Sequence, residues 1–212
     1  MTETRRRAEV LRLLERYLVE VVERYDLCPW ARGARLKGEV GFDVLWGTPD
    51  LATWVAAANA QLARGASVVM IVAPELGLDR IDMHGVRNDV SNAITSVGVA
   101  EFHPDAELDL VSPARLVPFT RRSPDPMLQL VPLSVLDSVR NASPPIDRAQ
   151  QLQILGGKAP PPKRDAADRI ASANHATVTS AAAELTATLA DIAADRARSY
   201  AAVGIAFTVG ST

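Results

Sequence analysis

Three short stretches hold side chains able to do chemistry. Asp26-Leu27-Cys28-Pro29-Trp30-Ala31-Arg32 contains the chain's only cysteine. If a short helix starts there, with Cys28 as its cap and Pro29 at its first position, the thiol sits at the positive end of a helix dipole. With Arg32 and Arg35 close in sequence, that placement lowers the cysteine pKa and favours a thiolate, which is a nucleophile and a metal ligand. The alternative is a buried thiol that packs as a small hydrophobe. Phe102-His103-Pro104-Asp105 places an imidazole at the expected carboxyl end of a strand, where ligands gather in open α/β sheets, with Asp105 near enough to orient it. His103 equally serves as a strand-end residue bonded to a backbone carbonyl. In Thr120-Arg121-Arg122-Ser123-Pro124, paired arginines with hydroxyls beside them suit a carboxylate or phosphate gripped by bidentate hydrogen bonds, or make a solvated turn.

The other two histidines do not complete a metal motif. His84 reads as a helix-surface residue and His175 lies in the C-terminal region, and neither has a second histidine at helical spacing. No metal site is assigned, and the sequence names no cofactor. One cysteine cannot form an intrachain disulfide and suits a reducing compartment, so a cytoplasmic location is expected. A formal net charge of −2 gives no basic field for nucleic acid. No run of eighteen apolar residues points to a membrane, and the N-terminal residues lack the apolar core of a signal peptide.

The elements that must position these residues follow from periodicity. The 212 residues are 48% hydrophobic and 23% charged, enough for one domain with a sizeable core. Val10, Leu11, Leu14, Leu18, Val21, Val22 and Tyr25 form the stripe of an amphipathic helix over residues 3–25. Alternation from Val40 to Trp46 predicts a half-buried strand. Thr48-Pro49 starts a helix that ends near Gly65, with Thr48 as its cap. The continuous apolar run 67–73 reads as a doubly covered strand. A helix over 79–97 and a strand over 98–102 follow. From His103 onward five prolines break some two dozen residues, and a loop that long inside a compact domain is usually either functional or disordered. Met127 to Val131 is expected as a fourth, antiparallel edge strand, with a short helix through Arg140. Residues 143–163 form a proline-rich connection to an alanine-rich helix whose stripe is Ile170, Val178, Leu185, Leu189 and Ile192. The large aromatics Trp30 and Trp46 are expected in the core.

Leu27-Cys28-Pro29-Trp30-Ala31, Phe102-His103-Pro104-Asp105 and Arg122-Ser123-Pro124-Asp125-Pro126-Met127-Leu128 together resemble three ordered blocks of the bacterial family known as domain of unknown function 1415. The resemblance covers roughly Leu11 to Arg140 and leaves the C-terminal part outside. It implies that Cys28, His103 and Arg122 share one site, and it implies no reaction. The chain departs from the family pattern at Gln129, where a histidine is usual, at Arg121 in place of asparagine, at Asp125 in place of an aromatic residue, and at 106–108. If that second histidine is a metal ligand in relatives, its replacement here weakens a metal site, since glutamine is a poor substitute.

The expected architecture is therefore an α/β domain over residues 1–142, a mixed sheet of about four strands flanked by helices with an N-terminal amphipathic helix. A connection over 143–163 leads to a helical C-terminal arm over 164–212 that docks or dimerises. The leading functional expectation is a thiol-dependent enzyme with Cys28, His103 and Asp105 as catalytic groups and Arg121, Arg122 and Ser123 holding an anionic small molecule. Set against it are a non-catalytic metal-, haem- or anion-binding protein and a structural or assembly protein. The enzyme reading requires Cys28 and His103 within hydrogen-bond reach, directly or through one water.

Overall fold

The computed structural model describes residues 2–141 and 166–206. Four strands, β1 (Val40–Val44), β2 (Val68–Val72), β3 (Val97–Phe102) and β4 (Met127–Pro132), form one mixed sheet in the order β1-β2-β4-β3. β1 and β2 are parallel, and β4 runs antiparallel to both β2 and β3. β1, β2 and β3 thus point the same way, with their carboxyl ends on one edge. The mixed four-stranded sheet flanked by helices is the expected architecture, with one correction: β4 is interior, not at an edge. Its burial accords with this place: Met127, Leu128 and Leu130 are all buried and successive strand residues face opposite sides, so both faces are covered. Pro132, which cannot donate to a ladder, stands at the strand's last position.

Alternation along β2 divides the core. Val68, Met70 and Val72 face one layer of helices, and Val69 and Ile71 face the other. The second layer is α3 (Leu51–Ala63) and α4 (Arg80–Ala93), which contribute Trp54, Ala57, Ala58, Met83 and Val90. Asp50, not Thr48, caps α3: its carboxylate accepts from the backbone N–H of Thr53 at 2.9 Å and the Thr53 hydroxyl at 2.6 Å. That leaves Pro49 outside the helix. Asp79 caps α4 in the same way, accepting from Ile81 and Asp82. α4 ends at Ala93, earlier than expected, as the chain turns through Ile94 into β3.

The first layer contains α1 (Glu3–Tyr17), α2 (Ala31–Leu36), α5 (Pro113–Thr120) and α7 (Ala166–Val203); α6 (Leu133–Asn141) follows β4. The single helix expected to Tyr25 is α-helical only to Tyr17 and widens to a π-helix over Leu18–Glu23. Asp26 follows with a left-handed φ of 50°, a conformation that Asp tolerates better than most residues. α5 lies inside the proline-interrupted stretch, where Ser112 caps it and Pro113 takes its first turn.

α7 is kinked at Ala181. It buries Val178, Leu185, Leu189, Ile192, Tyr200 and Val203 in the same core as α1 and the sheet. Its apolar stripe is therefore occupied by the chain's own core, while Ile170 lines a cavity. α1 and α7 are also joined by charge: Asp195 accepts from Arg12 at 2.8 and 3.1 Å and from Arg16 at 2.7 Å. The expected connection over 143–163 lies outside the described residues. No helix among the described residues is long and apolar enough to cross a membrane.

Candidate functional site

Cys28 lies just beyond the turn that follows the π-helical widening. An i to i+5 turn swings the chain outward, and such turns often occur at functional sites. The N–H of Leu27 reaches back to the Val22 carbonyl at 2.9 Å, and the Leu27 carbonyl accepts from Asn174 of α7 at 3.0 Å. Cys28 then opens a turn, with the N–H of Ala31 bonded to its carbonyl at 3.2 Å. The cap of α2 is Trp30 rather than Cys28. The backbone N–H groups of Trp30 and Ala31 favour the thiolate, but burial outweighs them and pushes the thiol pKa up. The expected lowering does not occur, because the thiol loses more hydration than two N–H groups return. Arg35, one of the two cations expected to assist, is bound to Glu23 at 2.5 and 2.9 Å.

The thiol faces a cavity of about 860 Å³ between the sheet and the helices of the first layer. Its walls include Leu18, Val22, Leu27, Met70, Phe102 and Val117. Among its polar groups are Tyr17, Gln129, Asn174 and Arg121. Trp30 lines this cavity rather than the core, whereas half-buried Trp46 lies under the Arg6 guanidinium at 4.3 Å. Tyr17 donates to the Thr120 carbonyl at 3.4 Å, and burial raises its pKa. Arg121 terminates α5, and loss of water lowers the pKa of its guanidinium. Its carboxylate partner, Glu101, is 3.9 Å away and already engaged by His84 at 3.1 Å and Arg87 at 3.2 Å.

His103 occupies a different place. Together with Asp105, Arg122 and Ser123 it lines a second cleft of about 570 Å³ at the carboxyl ends of β2 and β3, which does not include Cys28. The ring is only 4% exposed, and both nitrogens are committed to backbone: Nε2–H donates to the Leu78 carbonyl at 3.0 Å, and Nδ1 accepts from the Asp105 N–H at 3.2 Å. Asp105 Oδ2 is 3.7 Å from Nδ1, so Asp105 orients the ring through its backbone. Ser123 donates its hydroxyl to the Asp125 carbonyl at 2.5 Å.

The six expected site residues thus divide between two cavities, Cys28 and Arg121 in one, His103, Asp105, Arg122 and Ser123 in the other. The Cys28–His103 pair is not formed. The division between Arg121 and Arg122 arises because adjacent residues leaving a helix end diverge. Tyr17, Trp30 and Asn174 were not expected at a site, and nothing in the sequence distinguishes Tyr17 from its neighbours on the α1 stripe. Gln129 had a signal: it is the one polar residue in the apolar stretch from Met127 to Val131.

Beneath the second cleft, Asp125 is buried and joins α7 to the loop before β4. It accepts from Arg196 Nε at 2.7 Å and from the Tyr200 hydroxyl at 2.5 Å. Burial pushes its carboxyl pKa up, opposed by both partners. Among the described residues no group of three or more His, Cys, Asp or Glu is gathered as a metal site. No protein-family model matches the chain, and no match was found among curated proteins or solved structures.

Proposed function

We propose that the protein binds a small amphipathic organic acid in the Cys28/Arg121 cavity. The observation that carries this is a half-buried guanidinium in a largely apolar chamber, with only a long and shared ion pair, to Glu101, among the described residues. A charge that has lost water without gaining a close partner favours an incoming carboxylate. The volume falls within the range of small-molecule sites, and an apolar wall with few convergent polar groups is their usual lining. The ligand's carboxylate meets Arg121 and Gln129, and its apolar body lies against Leu18, Val22 and Val117. A thiol-enzyme mechanism through Cys28 and His103 is not part of this reading, because the imidazole lone pair is held by the Asp105 N–H in another cleft.

The test uses the dye 1-anilinonaphthalene-8-sulfonate as a reporter, displaced by decanoate or by decanol, with Trp30 emission as a second signal from the cavity wall. Decanoate is expected to displace the dye better than decanol, and Arg121→Gln to weaken decanoate binding about ten- to a hundredfold, the worth of a hydrogen bond to a charged group. Arg122→Gln should leave both ligands unchanged. Equal affinity of acid and alcohol for the unmodified protein, or an unchanged acid preference in Arg121→Gln, overturns the reading.

A further inference from the structure

We propose that the second cleft, at the carboxyl ends of β2 and β3, binds a small zwitterion with an apolar side chain, an amino acid in chemical class, its carboxylate on Arg122 and its ammonium on Asp105. Among the described residues Arg122 has no carboxylate within ion-pair distance, yet it lines the cleft. Asp105 lines the same cleft with 54% of its side chain exposed. Its approach to His103 is not an ion pair, since Nδ1 uses its lone pair on the Asp105 N–H. The two opposite charges share one cavity without pairing with each other.

The cleft's remaining charges have other tasks. Asp79 accepts the N–H groups that open α4, and Arg196 bonds Asp125. Leu76, Leu78, Leu189 and Ile192 supply an aliphatic wall, suited to an apolar side chain. Ligands in open α/β sheets bind outside the carboxyl ends of parallel strands, and β2 and β3 point the same way here. An occupant with both charges close together and an apolar branch satisfies all three surfaces. A simple anion leaves Asp105 facing like charge, and a simple cation does the same to Arg122.

Titration calorimetry with L-leucine, L-phenylalanine, N-acetyl-L-leucine and L-leucine methyl ester tests this on the full chain. At least one free amino acid is expected to bind, with the acetylated and esterified forms each weakened tenfold or more. Arg122→Gln should bring leucine down to the level of its ester, and Asp105→Asn down to that of the acetylated form. Arg121→Gln, which belongs to the other cavity, should change nothing. Both cleft residues are partly exposed, so unchanged thermal melting confirms that the variants fold. Failure of every free amino acid to bind at about 10 mM, above the range of weak specific sites, overturns the proposal. So do analogues that bind as well as the free amino acid, or binding that neither cleft variant alters.

Discussion

Asp125→Asn isolates the charge in the contact that ties α7 to the sheet. The substitution keeps the shape and leaves an oxygen for the Tyr200 hydroxyl, but removes the carboxylate that neutralises Arg196. The Asp125 and Arg196 side chains are 4% and 12% exposed, so water replaces little of what is lost. Removing one partner of a buried pair costs about 3–5 kcal/mol, a large part of a stability of about 5–15 kcal/mol. With a urea dependence of about 2–3 kcal/mol per M, the unfolding midpoint should fall by about 1–2.5 M. Arg196→Met instead takes the cation from the carboxylate and leaves it the Tyr200 hydroxyl. Asp125 then gains further reason to take up a proton, and its folded pKa rises beyond the already raised value. A folded pKa above the unfolded one means that the destabilisation is full at neutral pH and is relieved as pH falls through the folded value. The cost of Asp125→Asn has no such relief. The double variant carries neither charge and should cost less than the two singles together by about 2 kcal/mol or more. A single-variant cost under about 1 kcal/mol, the range of exposed pairs, or simple additivity of the two, would refute the assignment of a buried, coupled pair.

Two further outcomes test the chemistry of other groups. Alkylation of Cys28 by iodoacetamide should be slow near neutral pH and rise with pH beyond the free-cysteine value of about 8.5, as burial raises the thiol pKa; a rate plateau reached below pH 8 contradicts this. Asp195 is held below the usual carboxylate range, first by Arg12 and then by Arg16, so its stabilisation is present above about pH 4 and lost as pH falls below it. Asp195→Asn should therefore flatten the acid limb of stability by up to about 1.4 kcal/mol per pH unit, read from denaturation midpoints between about pH 4 and 2; an unchanged slope counts against the clasp on α1.

Local pattern carried much of the fold. The apolar stripe of α1 and the uninterrupted run of β2 were readable because burial on one face or both leaves a period in the sequence. The start of α4 near Asp79 was readable, but at α3 the sequence points to Thr48 as the cap although Asp50, two residues on, holds it. The Ser112-Pro113 signal of α5 was also present but was outweighed by the surrounding prolines. Strand order was not legible: β4 is apolar enough to be interior, yet nothing local states that it enters between β2 and β3. Nor does Leu18–Glu23 announce its π-helical turn, since LVEVVE fits an ordinary helix equally well. Cys28, His103 and Arg122 were each readable as chemically competent, but their separation depends on which side of the sheet edge each side chain takes. Asp125 stood out in the sequence only as a carboxylate where the resembled pattern has an aromatic residue. Its partners are 71 and 75 positions further along the chain, a distance at which local sequence carries no signal.

The central placement of β4 has a consequence for how the protein is made. Synthesis delivers β1, β2 and β3 before the strand that must separate the last two. Until residues 127–132 emerge, β2 presents Val69, Met70 and Ile71 along an open edge, ready to pair with whatever strand comes near. The nascent chain either holds this edge apart or pairs it wrongly, and α7, which seals the first layer against α1, arrives later still. Non-local closure of this kind slows folding and lengthens exposure to aggregation. A message truncated before residue 127 thus encodes not a smaller stable sheet but an adhesive one.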